Sequence, residues 1–164
     1  MAISSNNLTD TIGIQLTKDA FVVIIKTEWN EHVVSILESG CKKVLDEHQV
    51  NYKVLEVPGA FEIPFAVNKY WSKAVNKNDN PLPAAFIALG CVIRGDTPHF
   101  DYVCEGVTHG IMDLNITLPV PVIYGVLTVN NQLQADERLG GSHGHKGEEA
   151  ATAAIKMIAF SQSL

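Results

Sequence analysis

Ala20-Phe-Val-Val-Ile-Ile25 is an unbroken run of apolar, mostly β-branched residues near the start of the chain. A strand with one face in water alternates apolar and polar residues, and this run does not alternate. It therefore predicts a central strand whose two faces are both covered. Three later segments have the same strand-like composition, at 52–57, 84–89 and 120–128.

The stretches between these strands have the period of amphipathic helices. Between 30 and 48, apolar residues recur at intervals of three and four, and Asn30 stands where its side chain would cap the first turn. Similar patterns predict helices at 61–75, 100–114, 132–138 and 150–160. Alternating strands and helices predict an α/β protein: a single-domain, three-layer α/β/α sandwich around a four-stranded parallel sheet, which is a flavodoxin-like arrangement.

Length and charge set further limits. A chain of 164 residues, 46% hydrophobic and 18% charged, can bury one core and is short for two domains. We expect the domain to span 19–164, with the segment 1–18 either mobile or joined to a neighbouring subunit. The net charge of -6 argues against a nucleic-acid partner, because clustered Lys and Arg would bind that polyanion.

The chain has no feature that predicts export or membrane insertion. No apolar stretch approaches the ~20 residues that a spanning helix needs. The amino-terminal residues lack the basic start and apolar run of a secretory signal. Cys41, Cys91 and Cys104 are odd in number and lie in apolar stretches, so we expect reduced thiols. These observations predict a cytoplasmic protein without a membrane partner.

The loop after the third strand is a candidate site, because ligands of parallel sheets bind beyond the carboxyl ends of the strands. Ile93-Arg-Gly-Asp-Thr-Pro-His99 leads into a helix, whose free N–H groups would accept a phosphate at 95–97. Imidazoles titrate near neutrality, which makes His99 a candidate general acid or base. The alternative is that Thr97 merely caps the helix and His99 is an ordinary surface residue.

Aromatic and basic residues are further candidates at this edge. Trp29 follows the first strand and would stack on a heterocycle, and Phe61-Glu62 follows the second, although core, interface or turn roles explain them equally well. Arg138 and Lys146 flank a glycine-rich loop at 140–147. They would clamp a phosphate or a polar ring, unless they only face solvent.

Several familiar site classes are excluded. His143-Gly-His145 has no third ligand nearby, so no metal site is expected. Gly90-Cys-Val-Ile-Arg-Gly95 lacks the lysine of a P-loop and the third glycine of a dinucleotide turn. The chain also has no G-x-S-x-G nucleophile elbow. The residues alone therefore predict an α/β protein with an aromatic-lined edge that accepts phosphate.

Five segments, in order and at matching separations, resemble the lumazine synthase family. They span about residues 20 to 160, and together they are far more specific than any one of them. The segments are Trp29-Asn30, Val57-Pro-Gly-Ala-Phe-Glu-Ile-Pro64, Gly90-Cys-Val-Ile-Arg-Gly-Asp-Thr-Pro-His-Phe-Asp-Tyr-Val103, Val120-Pro-Val-Ile-Tyr-Gly-Val-Leu-Thr128, and Gln134-Ala-Asp-Glu-Arg-Leu-Gly140 ahead of His145-Lys-Gly147.

The resemblance implies condensation of 5-amino-6-(D-ribitylamino)uracil with 3,4-dihydroxy-2-butanone 4-phosphate to 6,7-dimethyl-8-ribityllumazine, phosphate and water, without a metal or an organic cofactor. In the family's pattern His99 transfers protons. Gly95, Asp96, Thr97 and Arg138 would bind the phosphate, with Asp96 contributing only its backbone N–H. The other matched residues would bind substrate: Trp29, Asn30, Ala60, Phe61, Glu62, Cys91, Val92, Ile93, Tyr124 and Lys146.

The resemblance also implies assembly. Tyr124 matches an aromatic residue that the family supplies from the neighbouring subunit, so the site would lie between chains of a homo-oligomer. A pentamer is the smallest expected form, and a 60-subunit icosahedral shell is the larger alternative. Trp29 and Tyr124 both stand where phenylalanine is usual, and both remain aromatic. A non-catalytic flavin- or lumazine-binding protein and a shell-forming container are the rival functions, and neither explains His99 together with a phosphate clamp.

Overall fold

The computed structural model describes residues 10–78 and 81–164. Within these ranges the centre of the fold is a parallel sheet of four strands, β1 (Phe21–Thr27), β2 (Asn51–Val57), β3 (Ala85–Ile93) and β4 (Val122–Val129). The strand order is β2-β1-β3-β4, and all three pairings are parallel. The prediction that the first apolar run forms a central strand is confirmed.

Helices cover both faces of the sheet. They are α1 (Glu31–Glu47), α2 (Ile63–Asn76), α3 (His99–Thr117), the short α4 (Gln132–Asp136) and α5 (Lys146–Gln162). Leu37 of α1 and Ile155 of α5 belong to the core on one face. Val67 of α2 and Ile111 of α3 belong to the core on the other. The predicted three-layer α/β/α sandwich is confirmed.

Helix α1 begins differently from the prediction. Asn30 holds the N-cap position in the left-handed region, with φ 58° and ψ 41°, and its side chain makes no capping hydrogen bond. Its side-chain amide nitrogen instead donates to the carbonyl oxygen of Cys91 at 2.8 Å. The prediction that Asn30 caps the helix was wrong, because this bond to β3 engages the side chain elsewhere. Asparagine tolerates the left-handed conformation better than most residues do.

Helix α2 begins at Ile63, two residues later than predicted, and turns a narrow apolar stripe inward. A single 3₁₀ turn at Ala60–Glu62 precedes the helix, and Ile63 then points into the core with Val67 and Ala74. Residues two positions apart point to widely separated directions on a helix, so Phe65 faces outward and is 72% exposed. Val75 is also exposed, so the inward stripe is narrower than the apolar residues of this helix alone would indicate.

The predicted glycine-rich loop at 140–147 is a hairpin followed by the first turn of a helix. Strands β5 (Leu139–Gly141) and β6 (Gly144–His145) pair antiparallel, and α5 begins directly after them. Gly147 packs so closely on α1 that an added Cβ would overlap the carbonyl oxygen of Leu37. This contact fixes the start of α5 against α1, and with it the backbone of Lys146.

Residues 10–18 lie along the ends of α1 and α5. Thr11 shares a 2.8 Å hydrogen bond with His48, and the side chain of Gln162 donates to Thr17 at 3.0 Å. The first nine residues lie outside the described ranges, so the expectation for the segment 1–18 stays a prediction. No helix in the described part of the chain is both long and apolar enough to cross a membrane.

Candidate active site

An open cavity of about 560 Å³ lies at the carboxyl ends of β1, β2 and β3. Its walls come from the turn after β1, the 3₁₀ turn after β2, the end of β3 and the first turns of α3. The structure brings nine of the predicted site residues together here: Trp29, Asn30, Ala60, Phe61, Glu62, Cys91, Val92, Ile93 and His99.

Trp29 is held at the mouth of this cavity by its backbone. Its N–H donates to the carbonyl of Pro58 at 3.2 Å, and the hydroxyl of Thr27 donates to its carbonyl at 3.2 Å. The bond from Asn30 to Cys91 ties the same turn to β3. Trp29 as a whole remains 72% exposed. The backbone of Trp29 is therefore held by hydrogen bonds while its side chain stays accessible, which suits stacking on a planar ligand.

Phe61 is placed by a glycine of α3. An added Cβ at Gly106 would overlap the ring of Phe61, and one at Gly110 would lie 2.5 Å from Cγ of Pro64. These two glycines let the 3₁₀ turn and the start of α2 pack directly on the backbone of α3. Phe61 is 61% exposed, so it forms a second aromatic wall of the cavity.

His99 is the first residue of α3, and its exposed imidazole lines the cavity. Gly95, Asp96 and Thr97 are exposed in the loop just before it and are not part of the lining. Pro98 holds the N-cap position, and no side chain caps the helix. The alternative that Thr97 caps α3 was wrong. The uncapped helix start leaves backbone N–H groups for an anion.

Tyr124 and Lys146 lie at the β4 edge of the sheet and do not line the first cavity. They belong to a second cavity of about 250 Å³ between β4 and α5. Nζ of Lys146 donates to Oε2 of Glu149 at 2.6 Å, and the hydroxyl of Thr108 donates to that of Tyr124 at 3.3 Å. Burial raises the pKa of the Tyr124 phenol, so the ring stays neutral.

Arg138 is held beside Lys146 by the base of the hairpin. The N–H of Lys146 donates to the carbonyl of Arg138 at 2.9 Å, and Nη1 of Arg138 donates to the carbonyl of Gln134 at 2.8 Å. A guanidinium has five N–H groups, so others remain for an anion. Arg138 is also outside the lining of the first cavity. Within one chain the predicted site residues are therefore divided. Nine line the first cavity, Gly95, Asp96 and Thr97 lie in the loop before α3, and a second group, Tyr124, Arg138 and Lys146, lies outside the first cavity.

Cys41 and Cys91 are buried, and the two histidines of the hairpin contact other residues of the chain. Burial raises the pKa of Cys41 to about 12 and that of Cys91 to about 11, so neither is a thiolate at neutral pH. The ring of His145 packs against Gly40, whereas Nε2 of His143 lies 3.6 Å from Oε2 of Glu137. No group of three or more His, Cys, Asp or Glu side chains suited to a metal occurs in 10–78 or 81–164.

Three lining residues were not predicted: Gly59, Tyr102 and Val103. Tyr102 and Val103 follow His99 by three and four positions, so they share its face of α3. That spacing would have revealed them if the helix had been expected to start at His99 rather than at Phe100. Gly59 lies within the matched segment, but a glycine offers no side-chain chemistry that would single it out.

Comparison with known proteins identifies the family of the chain. The family model described as 6,7-dimethyl-8-ribityllumazine synthase matches residues 19–162. A 6,7-dimethyl-8-ribityllumazine synthase of Porphyromonas gingivalis is 46% identical over 162 residues, covering 96% of each chain. Proteins of the same name from Bacteroides fragilis and Parabacteroides distasonis are 46% and 42% identical, covering 86% and 98% of this chain and 96% and 99% of their own lengths. The chain therefore belongs to the 6,7-dimethyl-8-ribityllumazine synthase family.

Proposed function

We propose that this chain condenses 5-amino-6-(D-ribitylamino)uracil with 3,4-dihydroxy-2-butanone 4-phosphate to 6,7-dimethyl-8-ribityllumazine, releasing phosphate and water, in the penultimate step of riboflavin biosynthesis. The observation that carries the proposal is the gathering of nine predicted site residues around one cavity in a chain of this family. The aromatic mouth suits a flat heterocycle, and the adjoining helix start suits a phosphate.

The chemistry requires orientation and proton transfer. The amine of the pyrimidine attacks the ketone carbonyl of the sugar phosphate and water leaves, which forms an imine. A proton shift then lets phosphate leave and produces a carbonyl on the adjacent carbon. The ribitylamino nitrogen attacks this carbonyl, and loss of a second water closes the second heterocycle. Alignment of two reactants supplies roughly 7–11 kcal/mol in favourable cases, and a general acid or base adds a factor of about 10²–10⁴. We assign the proton transfers to His99, because its imidazole is exposed at the cavity.

The pyrimidine would lie between exposed aromatic side chains. Trp29 and Phe61 supply the flat surfaces. Asn30 keeps its side-chain oxygen for the ligand, since its nitrogen is engaged by Cys91. The remaining contacts to the ring and the ribityl chain would come from backbone and side-chain groups of Ala60, Glu62, Val92 and Ile93.

The phosphate would bind at the loop before α3. Backbone N–H groups of Gly95, Asp96 and Thr97 would hold it, helped by the positive end of the helix dipole. The carboxylate of Asp96 repels an anion, so that residue contributes only its backbone. Arg138 would supply a forked pair of N–H donors, which match phosphate oxygens.

The active site would be completed by a second copy of the chain. Tyr124, Arg138 and Lys146 lie outside the first cavity, and the aromatic residues at its mouth are exposed. A head-to-tail arrangement would bring the second group of one copy against the cavity of the next, and such contacts form a closed ring when the rotation between copies closes. A homopentamer in the cytoplasm, with a 60-subunit shell as its larger form, agrees with the family resemblance.

The direct test is product formation. The purified protein is mixed with both substrates, and lumazine is followed by absorbance and fluorescence against a reaction without protein. Protein-dependent acceleration, with one phosphate released for each lumazine, is the expected result. A well-folded oligomer that binds lumazine without accelerating its formation would instead favour a flavin- or lumazine-binding protein. An oligomer that does neither would favour a container.

A further inference from the structure

Arg94, the residue after β3, joins three parts of the fold at the base of the phosphate loop. Its Nη2 donates to Oδ1 of Asp101 at 2.7 Å, and its Nη1 donates to Oδ2 at 3.3 Å. Its Nε donates to Oδ1 of Asn130, just after β4, at 3.2 Å. The guanidinium carbon lies 4.1 Å from the centre of the Phe100 ring. One side chain thus connects the end of β3 with the start of α3 and the loop after β4.

An arginine in this position resembles a phosphate ligand, but its donors are directed elsewhere. Three of the five N–H groups of a guanidinium are directed at Asp101 and Asn130. Phe100 covers one face of the guanidinium. A forked contact with phosphate would require displacement of the Asp101 carboxylate, which already binds two nitrogens of the guanidinium. The geometry favours a tie between the two ends of the loop over contact with substrate.

We propose that Arg94 and Asp101 form a clamp that positions the loop 95–98 and His99 for catalysis; this inference rests on the function proposed above. The loop leaves β3 after Arg94 and re-enters regular structure at His99. The clamp joins its two ends. Asp101 lies in the same helical turn as His99, so holding Asp101 also holds the backbone from which the imidazole projects. Arg94 is accordingly a positioning residue.

The clamp remains charged and has little effect on the fold as a whole. Its mutual hydrogen bonds raise the pKa of the Arg94 guanidinium and lower the pKa of the Asp101 carboxyl. The two side chains are 42% and 52% exposed, and exposed ion pairs contribute little to the free energy of unfolding. Substitutions at these positions therefore change the local loop geometry and leave a folded protein.

The test compares Arg94→Gln, Asp101→Asn and the double variant with the intact protein. We expect kcat to fall by about ten- to a hundredfold in each, because small misplacements of reacting groups have effects of this size. The double variant should be no slower than either single variant, since each breaks the same clamp. The dissociation constant of the ribitylated pyrimidine is measured by tryptophan fluorescence without the butanone phosphate. It should stay within about twofold of the value for the intact protein, because the clamp does not touch the aromatic walls.

A matched control breaks an exposed ion pair elsewhere. Lys43 on α1 pairs with Glu148 at 3.0 Å and does not line the cavity. Lys43→Gln should leave kcat and both Michaelis constants unchanged. Equal losses of kcat in Lys43→Gln and Arg94→Gln would overturn the clamp, and so would losses at Arg94 and Asp101 that multiply in the double variant.

Inhibition by inorganic phosphate separates positioning from direct binding. If Arg94 were a phosphate ligand, Asp101→Asn would release it, and the inhibition constant of phosphate would fall. The clamp predicts a rise in that constant in both single variants.

Absence of activity in the intact protein would count against the proposed function instead. The clamp would then be judged by calorimetric binding of inorganic phosphate, where equal affinities in the intact protein and both variants overturn it.

Discussion

His99 begins α3 and its imidazole lines the cavity, so its removal should slow proton transfer while both substrates still bind. We expect His99→Ala to lower kcat by about 10²–10⁴ and to retain a rate above the uncatalysed one, because orientation of the substrates remains. Steady-state lumazine formation measures this, with His109→Ala on the same helix as the control. A His99→Ala protein no faster than buffer would contradict this division of roles.

Arg138 is assigned to the phosphate, so its loss should affect one substrate selectively. Arg138→Ala should raise KM for the butanone phosphate by about tenfold or more, since a forked, charge-assisted contact is removed. KM for the pyrimidine should change little. Arg138→Lys should recover only part of the loss, because an ammonium lacks the fork. Kinetics with each substrate varied in turn would decide it, and an equal rise in both Michaelis constants would oppose the assignment.

Cys41 predicts how stability depends on alkaline pH. Burial raises the pKa of its thiol from 9.0 to about 12, so above pH 9 the unfolded chain loses a proton that the native chain keeps. Ionisation of the unfolded chain therefore favours unfolding. The stability that the native state has below pH 9 decreases for this reason as pH rises from 9 towards 12. Urea unfolding at pH 8 and pH 10 should show a smaller difference in Cys41→Ala than in the intact protein. Equal differences would refute the prediction.

At the scale of elements, the contact between α1 and α5 depends on a residue without a side chain. In Gly147→Ala the new methyl group would overlap the carbonyl oxygen of Leu37, and backbone cannot yield as a side chain can. We expect the free energy of unfolding to fall by about 1–3 kcal/mol or more, as for other overpacked sites. Urea denaturation measures it. The control is Gly95→Ala, whose Cβ meets no described atom within 4 Å, and equal stability losses would contradict the account.

Element types could be predicted because the apolar period changes between strands and helices. Helix α1 illustrates this, because the apolar residues that recur at intervals of three and four are buried: Val33, Val34, Leu37, Cys41, Val44 and Leu45. Periodicity fails where a long-range contact decides the local geometry. The hydrogen bond from the Asn30 side chain to β3 could not be predicted, because its partner Cys91 lies 61 residues away along the chain. The hairpin at 139–145 was missed because its glycines favour any turn equally.

At the scale of the whole molecule, the position of the cavity could be predicted from the sequence, but the separation of the site residues into different regions could not. Strand ends of a parallel sheet share one edge, which is why Trp29, Phe61 and His99 could be expected together. Their convergence on one cavity agrees with that expectation. The separate placement of Tyr124 and Lys146 could not be derived from spacing, because it depends on which strand forms the other edge of the sheet.

The most direct measurement is activity in mixed assemblies, because each proposed site combines the cavity of one copy with Tyr124, Arg138 and Lys146 of another. Chains carrying His99→Ala and chains carrying Arg138→Ala are unfolded together in equal amounts, refolded, and assayed at low butanone phosphate. About one quarter of the interfaces in a random head-to-tail ring would join two intact halves, so the mixture should reach about a quarter of the intact activity. A mixture no more active than the average of the two variants refolded separately would contradict the account.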